Sequence, residues 1–222
     1  MTHAVALSRE TDGKVAASSL PRSRVYAILS QSLSFPEVRF HSDIRRGFWM
    51  ESLAASSERL PYPLRLPAAR SFTVPGDFDA FQSEYIRLFE VGGRGGAPCP
   101  LYSGHYSNDR LRALESLVRF YNFFGVQTEQ GMMPDHVAVE LEFMSHLTET
   151  EATARNEIDR RSCRRAQADF LDNHLANWWP KIAEKIKRHE PLPFYRSLAG
   201  FTSKFLDAEL THLATRPDPS SS

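Results

Sequence analysis

The sequence predicts an all-α protein, a single-domain helical bundle of about seven helices with a long proline-rich loop and disordered termini. Apolar residues recur at three- and four-residue steps in several separate segments, which is typical of amphipathic helices. Apart from a short Phe-Thr-Val run at 72–74, no alternating β-branched run bounded by turns is found. Proline- and glycine-rich stretches separate the periodic segments and mark the loops between helices.

The amino-terminal part contains a predicted tail, two helices and a long loop. Residues 1–18 are small and polar, so we expect them to be disordered. One helix is predicted over 21–33, where Pro21 suits a first helical turn, and a second over about 41–59. Four prolines within 60–76 predict a connecting loop.

The middle of the chain contains two predicted helices separated by a Gly/Pro-rich loop. The first begins at Asp77 and ends at the pair Gly92-Gly93, which is suited to a helix C-cap. Ser107 or Asn108 can cap the second, which Gly125 stops. The first helix carries apolar residues at helical steps: Phe78, Phe81, Tyr85, Leu88 and Phe89.

Three further helices are predicted towards the end of the chain. One begins at Pro134, one is long and covers 161–188, and the last covers about 194–213. Pro180 should kink or break the long helix. The segment 214–222 is rich in Pro and Ser and is expected to be a disordered tail, which leaves 19–213 as one domain.

The composition excludes several classes of protein. The 222 residues contain 27 basic and 27 acidic side chains, whereas a general nucleic-acid binder is expected to have a basic excess. Two cysteines are too few for a disulfide framework. No stretch approaches 18 consecutive apolar residues, and the start lacks the apolar region of a signal peptide. We therefore expect a cytoplasmic protein with no membrane span.

Charge is unevenly distributed along the chain. Residues 77–154 carry 12 acidic and 5 basic side chains, and this segment also contains the unusual loops. A cationic ligand would be attracted to it, although most of these carboxylates individually are expected only to solvate helix surfaces.

The segment 132–146 is the richest in candidate functional residues. Asp135 and His136 are expected in the first turn of the helix from Pro134, with Glu140 one turn later. They would form a hydrogen-bonding rim beside an apolar floor that includes Phe143. Three alternatives remain open: a metal-dependent helical-bundle enzyme using His136, Glu140 and His146, general acid–base catalysis, and a simple capped helix.

Other motifs give weaker signals. The glycines at 92–96 lack the following Lys-Ser/Thr of a phosphate-binding loop, and Cys99, between two prolines, is expected to be structural. The basic cluster at 160–165 is expected to be a solvated helix face; the alternative is a helical nucleic-acid-binding regulator that uses these arginines.

Four motifs, read in order, resemble a known family. They are EYIRLFEVG (84–92), PCPLYSGHY (98–106), FYNFFGV (120–126) and PDHVAVELEFM (134–144). This combination resembles the all-α cytoplasmic chaperones of the TorD/DmsD type, which mature molybdenum-containing redox enzymes. The loop Cys-Pro-Leu-Tyr looks closest to the accessory chaperones of dimethyl sulfide, selenate, chlorate and ethylbenzene-type enzymes.

The resemblance implies a binding protein rather than an enzyme. Family members bind an apo catalytic subunit and its twin-arginine leader, and hold that subunit until the molybdopterin cofactor of the client is inserted. The chaperone itself is then expected to hold no stable cofactor or metal; guanine-nucleotide binding has been proposed in the family, but no nucleotide motif supports it here. The residues that match by motif position are Tyr85, Leu88, Phe89, Pro98, Pro100, Tyr102, Asp135, His136 and Glu140.

A twin-arginine leader presents two arginines and then an apolar stretch. Its receptor needs carboxylates or carbonyl groups beside an apolar groove. We expect Asp135 and Glu140 at the rim, with Leu88, Phe89 and Phe143 as the floor. Asp135 would accept from an arginine, and His136 would fix its geometry or titrate to modulate release.

The long loop at 60–76 also bears on assembly, because it could act as a hinge. A monomer or a domain-swapped dimer is therefore expected.

Overall fold

The computed structural model describes residues 2–127 and 133–215, with side chains from residue 17 onwards. It confirms the all-α class: within these residues the extended pairing is limited to one isolated bridge, between Tyr102 and His136. The described α-helices are α1 (Thr2–Leu33), α2 (Val38–Arg45), α3 (Phe48–Ser57), α4 (Phe78–Tyr85), α5 (Arg110–Phe123), α6 (Val137–Thr153), α7 (Glu157–Asn173), α8 (Leu175–Arg188) and α9 (Pro193–Ala214).

The structure describes most of the predicted amino-terminal tail but only the first residues of the predicted carboxy-terminal tail. The backbone of α1 is helical from Thr2, through the segment 1–18 that the sequence predicts as disordered, and Pro21 lies inside the helix. The first residues lack apolar periodicity, and a prediction based on periodicity therefore places the start of this helix too late, at residue 21 instead of Thr2. Of the predicted tail at 214–222, the part from 216 onwards lies outside the described residues.

The predicted helix over 41–59 is wrong, because the chain forms two helices there. Gly47 separates α2 from α3 and has a φ of 87°, in the left-handed region that glycine adopts readily. The loop that follows, predicted over 60–76, contains one 3-10 turn at Ala69–Phe72.

The helix from Asp77 is confirmed, with a change of geometry in its second half. Asp77 caps α4, since its Oδ2 accepts from the backbone N–H of Ala80 at 3.2 Å. The chain continues as a π-helical turn over Ile86–Glu90. Helix α5 begins later than predicted, because Asp109, rather than Ser107 or Asn108, accepts from Arg112 N–H at 3.1 Å.

The long helix predicted over 161–188 is broken at His174 and not at Pro180. His174 has φ −120° and ψ −96°, and it separates α7 from α8. Pro180 lies inside α8, where the N–H that it lacks would have paired with the carbonyl of Ala176. The helix thus loses one hydrogen bond close to its start and still continues.

Aromatic side chains dominate the core that supports this arrangement. Phe81 of α4 stacks on Tyr195 of α9 with ring centroids 5.4 Å apart, and Phe194 packs edge-on against Phe81 at 5.6 Å. Leu88 and Phe89, from the π-helical turn, are also fully buried. The apolar face of the α4 segment is therefore used for packing against α9.

A buried polar network centred on Arg22 joins four helices. The Arg22 guanidinium of α1 donates to both carboxylate oxygens of Glu209 in α9, at 2.6 and 2.7 Å. It also donates to Glu151 of α6 at 3.1 Å and to Gln167 of α7 at 2.7 Å. The Tyr62 hydroxyl donates to Glu209 and ties the 60–76 loop to the same network. The apolar pattern does not reveal these contacts, because they join residues far apart in sequence.

Candidate functional site

The four sequence motifs meet where the 98–106 loop docks on the segment before α6. The N–H of Cys99 donates to the carbonyl of Leu88 at 2.8 Å, which fixes the loop to the π-helical turn. The N–H of Ser103 donates to the Asp135 carbonyl and the N–H of Val137 to the Leu101 carbonyl, both at 2.8 Å. Backbone pairing thus places this loop directly against the predicted acidic residues.

Asp135 is fully buried at this junction and precedes α6, so it does not lie in the first helical turn as predicted. Its Oδ2 accepts from the backbone N–H of Gly104 at 3.2 Å. Its Oδ1 has no hydrogen-bond partner among the described residues. Asp135 therefore keeps an unused acceptor, but it is not on an open rim in this conformation.

His136 is the N-cap of α6, one position before the first turn in which the sequence places it. Its Nδ1 accepts from the backbone N–H of Ala138 at 3.2 Å, and the Tyr102 ring packs edge-on against the imidazole at 5.0 Å. Burial lowers the pKa of His136 to about 4, although the charge of Asp135 acts in the opposite direction. The imidazole is therefore neutral at pH 7, and the expected titration near neutrality does not occur in this conformation.

Glu140 is fully buried and does not lie on the rim that the sequence predicts. Its Oε2 accepts from the indole N–H of Trp178 at 3.1 Å, and the Ser103 hydroxyl is a second side-chain hydrogen-bond partner of this carboxyl. Burial raises the pKa of Glu140 to about 8. At neutral pH this side chain is mainly protonated, so Asp135 is the better acceptor for a cation.

The apolar residues predicted as a groove floor are core residues. Leu88, Phe89 and Phe143 are buried, as is Tyr85, whose hydroxyl donates to the Leu33 carbonyl at 3.2 Å. Their helical spacing is equally typical of a core face, which is the role that the structure gives them.

The two prolines and the tyrosine of the 98–106 loop differ in exposure. Pro100 is buried, whereas Pro98 and Tyr102 are half-buried. Pro98 and Tyr102 are the parts of the predicted apolar set that reach the surface.

A polar cleft of about 350 Å³ opens beside the buried acidic residues. Ser103 lines this cleft, and its buried side chain is a hydrogen-bond partner of Glu140. Trp178 connects the cleft to Glu140, and its ring stacks on Tyr106 at 5.3 Å. The cleft is lined by Ser103, Tyr106, Ser107, Asn108, Asp109, Ala113, Asn173, His174, Asn177, Trp178 and Lys181.

The start of α8 forms a part of this cleft that was not predicted from the sequence. His174 lies three residues before Asn177 and four before Trp178, and Lys181 lies four and three residues after these two, so the four share one face. This partly polar stripe is the sequence feature from which the α8 wall of the cleft could have been predicted. Lys181 also holds the cleft together, since its Nζ donates to the Tyr106 carbonyl at 2.9 Å.

The donor set does not fit the metal-site alternative. His136 uses Nδ1 for its helix cap, Glu140 is bound to Trp178, and His146 is exposed on α6. Nowhere in the described ranges do three His, Cys, Asp or Glu side chains converge as metal ligands would.

The basic cluster at 160–165 is not a uniformly solvated face. Arg160 and Cys163 are buried, and Arg164 donates to the His212 carbonyl of α9. Arg161 pairs with Glu157 at 2.7 Å within α7. Part of this cluster is thus used for contacts within the fold.

Among the described helices, none is long and apolar enough to cross a membrane.

Comparison with known proteins gives the family. Residues 61–184 match the nitrate reductase delta subunit family, and this range contains the docked loop, the buried acidic residues and the polar cleft. The chain belongs to this family.

Relatives of this family member carry chaperone names. The perchlorate reductase assembly chaperone protein of Dechloromonas aromatica (strain RCB) is 30% identical over 88% of this chain and 91% of its own length. The selenate reductase assembly chaperone protein of Thauera selenatis is 40% identical over 49% of this chain and 58% of its own length. The chaperone protein TorD of Vibrio parahaemolyticus serotype O3:K6 (strain RIMD 2210633) is 31% identical over 51% of this chain and 54% of its own length.

These relatives confirm the resemblance to TorD-type chaperones that the motifs indicate. They are named as chaperones rather than as enzymes.

Proposed function

We propose that this protein is a cytoplasmic, non-catalytic chaperone for one molybdopterin-containing oxidoreductase. It binds the apo catalytic subunit and its twin-arginine leader, and holds that subunit for cofactor insertion before assembly or export. The observation that carries this proposal is the similarity, over 88% of the chain, to a protein named as a reductase assembly chaperone. The molybdopterin belongs to the client, and the chaperone itself holds no stable cofactor.

The leader arginines are proposed to bind at Asp135 and the adjoining polar cleft. Asp135 Oδ1 is a buried polar atom without a hydrogen-bond partner among the described residues. An unpartnered buried acceptor is unfavourable, and an arginine guanidinium presents five donors that can satisfy it. Glu140 offers little negative charge at neutral pH, since burial raises its pKa to about 8.

The apolar part of the leader needs the 98–106 loop to move. The candidate floor at Leu88, Phe89 and Phe143 is covered in this conformation. The Cys99–Leu88 backbone hydrogen bond is one of the contacts that would open. Binding would therefore couple arginine recognition to displacement of the loop.

The test measures binding of a fluorescent peptide that carries two adjacent arginines followed by an apolar segment. Asp135→Asn keeps the shape of the side chain and removes its charge. Loss of a buried charged partner is typically worth about 2–5 kcal/mol, so we expect the Kd to rise about 30-fold or more. Asp172→Asn, at an exposed position of α7, is the matched control and should leave the Kd unchanged. An unchanged Kd for a folded Asp135→Asn protein would remove Asp135 from the site.

A further inference from the structure

A groove of about 600 Å³ lies between α1 and α3, and both helices precede the range 61–184 that matches the family. The indole N–H of Trp49, at the start of α3, donates to the hydroxyl of Ser32 near the end of α1, at 2.9 Å. The groove joins the end of α3 to earlier turns of α1. The two helices therefore run antiparallel along the groove.

The walls of the groove are apolar over most of their length. On the α1 side they include Leu20, which is 40% exposed, and the half-buried Ile28. The hydroxyls on the α3 side donate within their own helix, Ser52 to the Phe48 carbonyl at 2.8 Å and Ser56 to the Ser52 carbonyl at 2.9 Å. Helical walls offer few backbone partners to an extended peptide, whereas a bound helix pairs its own backbone groups.

Two arginines, Arg24 and Arg59, lie at about the same level of the groove. Measured from the Trp49–Ser32 contact at about 1.5 Å per residue, Arg24 is about 12 Å back along α1 and Arg59 about 15 Å on along α3. Both are exposed and line the groove. Neither guanidinium has an ion pair or a hydrogen bond with another described residue. A single carboxylate between them can accept from both.

We propose that this groove binds an amphipathic helix of a partner protein, with the apolar face against α1 and α3 and a carboxylate between Arg24 and Arg59. Charge complementarity favours this occupant over a twin-arginine leader, whose guanidiniums would meet like charges here. The protein would then have two binding surfaces of opposite preference. Asp135 and its cleft take a cationic segment, and the α1–α3 groove takes an acidic one.

The test uses a fluorescent, helix-forming peptide with leucines on one face and a pair of glutamates one turn apart beside them. Arg24→Ala combined with Arg59→Ala should raise its Kd about five- to tenfold, because two exposed charge pairs are lost. Arg39→Ala, at an exposed position of α2, is the matched control and should leave the Kd unchanged. Added salt should weaken binding to the wild type. Equal Kd values for the wild type and the double variant, or no binding to the wild type, would overturn the proposal.

Ala27→Gln locates the site without removing a charge. Ala27 is an exposed residue of the groove wall, and glutamine is a good helix former, so the variant should fold. The Kd of the glutamate peptide should rise about fivefold or more, because an amide is then buried without a partner. An unchanged Kd would place the peptide elsewhere and overturn the proposal. The twin-arginine peptide should bind this variant as it binds the wild type. If the wild type bound no twin-arginine peptide, leader binding would fail while the glutamate peptide still decided the role of the groove.

Discussion

Glu140 places a carboxyl group inside the core, with one oxygen bound to the Trp178 indole. Burial raises its pKa to about 8 from an ordinary value of 4.5. The folded chain therefore keeps a proton that the unfolded chain releases between these two values. Stability from this residue is present at low pH and is lost as the pH rises through the window.

Glu140→Gln should remove this pH dependence, because the amide is neutral at every pH and its oxygen can still accept from Trp178. Urea unfolding at pH 5 and pH 9 measures the difference. The variant should gain stability relative to wild type as the pH rises. Glu142→Gln, at the exposed neighbouring position, should follow the wild type. If the free energy of unfolding changed equally between pH 5 and pH 9 in Glu140→Gln and in the wild type, the raised pKa of Glu140 would be contradicted.

The candidate site residues also show which properties of single residues can be predicted from the sequence and which cannot. The set Asp135, His136 and Glu140 follows from the concentration of functional residue types at 132–146, their helical spacing and the motif match, and the structure brings these residues together at the start of α6. Their burial was not predictable, because it depends on the 98–106 loop, which lies about 30 residues earlier and closes over them. Spacing gives neighbours along one helix but says nothing about what covers them.

The helices are held in register by the Arg22 network, whose acceptors come from α6, α7 and α9. Arg22→Ala would leave Glu209 buried without its cation, and it would leave Glu151 with only the longer Arg164 contact at 3.8 Å. Breaking one partner of a buried ion pair costs about 3–5 kcal/mol, so we expect a loss of that size in the free energy of unfolding. Denaturant unfolding measures it, with Arg24→Ala at an exposed position of α1 as the control. A loss below 1 kcal/mol would mean that the network is not a structural centre.

The loop that covers Asp135 depends on a glycine. Gly104→Ala would place a methyl group 2.7 Å from Asp135 Oδ2 and 2.8 Å from Arg110 Cγ. Overpacking of this kind typically costs about 1–3 kcal/mol, and the Gly104–Asp135 hydrogen bond should weaken. Thermal unfolding should show a lower Tm for Gly104→Ala. Gly93→Ala meets nothing within 4 Å and should leave the Tm near that of the wild type, so equal Tm values for the two would contradict the close contact.

The helix boundaries show which local sequence signals are sufficient to predict where a helix begins or ends. Apolar periodicity identified α4, α6 and α9, although the start of α6 is buried on all sides, from Val137 to Leu141. The break at Gly47 and the break at His174 were missed, since the first needs a left-handed glycine and the second a residue outside the helical region. Pro180 was expected to break a helix and does not, because the local hydrogen bond that it removes lies near the start of α8.

In the whole molecule, the region that matches the family contains the candidate site, whereas the helices outside this region stabilise the bundle. Residues 61–184 contain the docked loop, the acidic residues and the polar cleft. Helices α1 and α9 lie outside this range and supply Arg22 and Glu209, whose ion pair stabilises the bundle. The all-α class followed from the sequence, whereas the cleft did not, since its walls come from separate elements: the 98–106 loop and the starts of α5 and α8.

The proposed client is one molybdoenzyme catalytic subunit. The most direct measurement is affinity co-purification from native cytoplasm, under conditions in which the cell makes such an enzyme, followed by mass spectrometry. We expect recovery of a single molybdoenzyme catalytic subunit that still carries its twin-arginine leader, and reduced recovery with Asp135→Asn but not with Asp172→Asn. Recovery of no such subunit from these cells would contradict it.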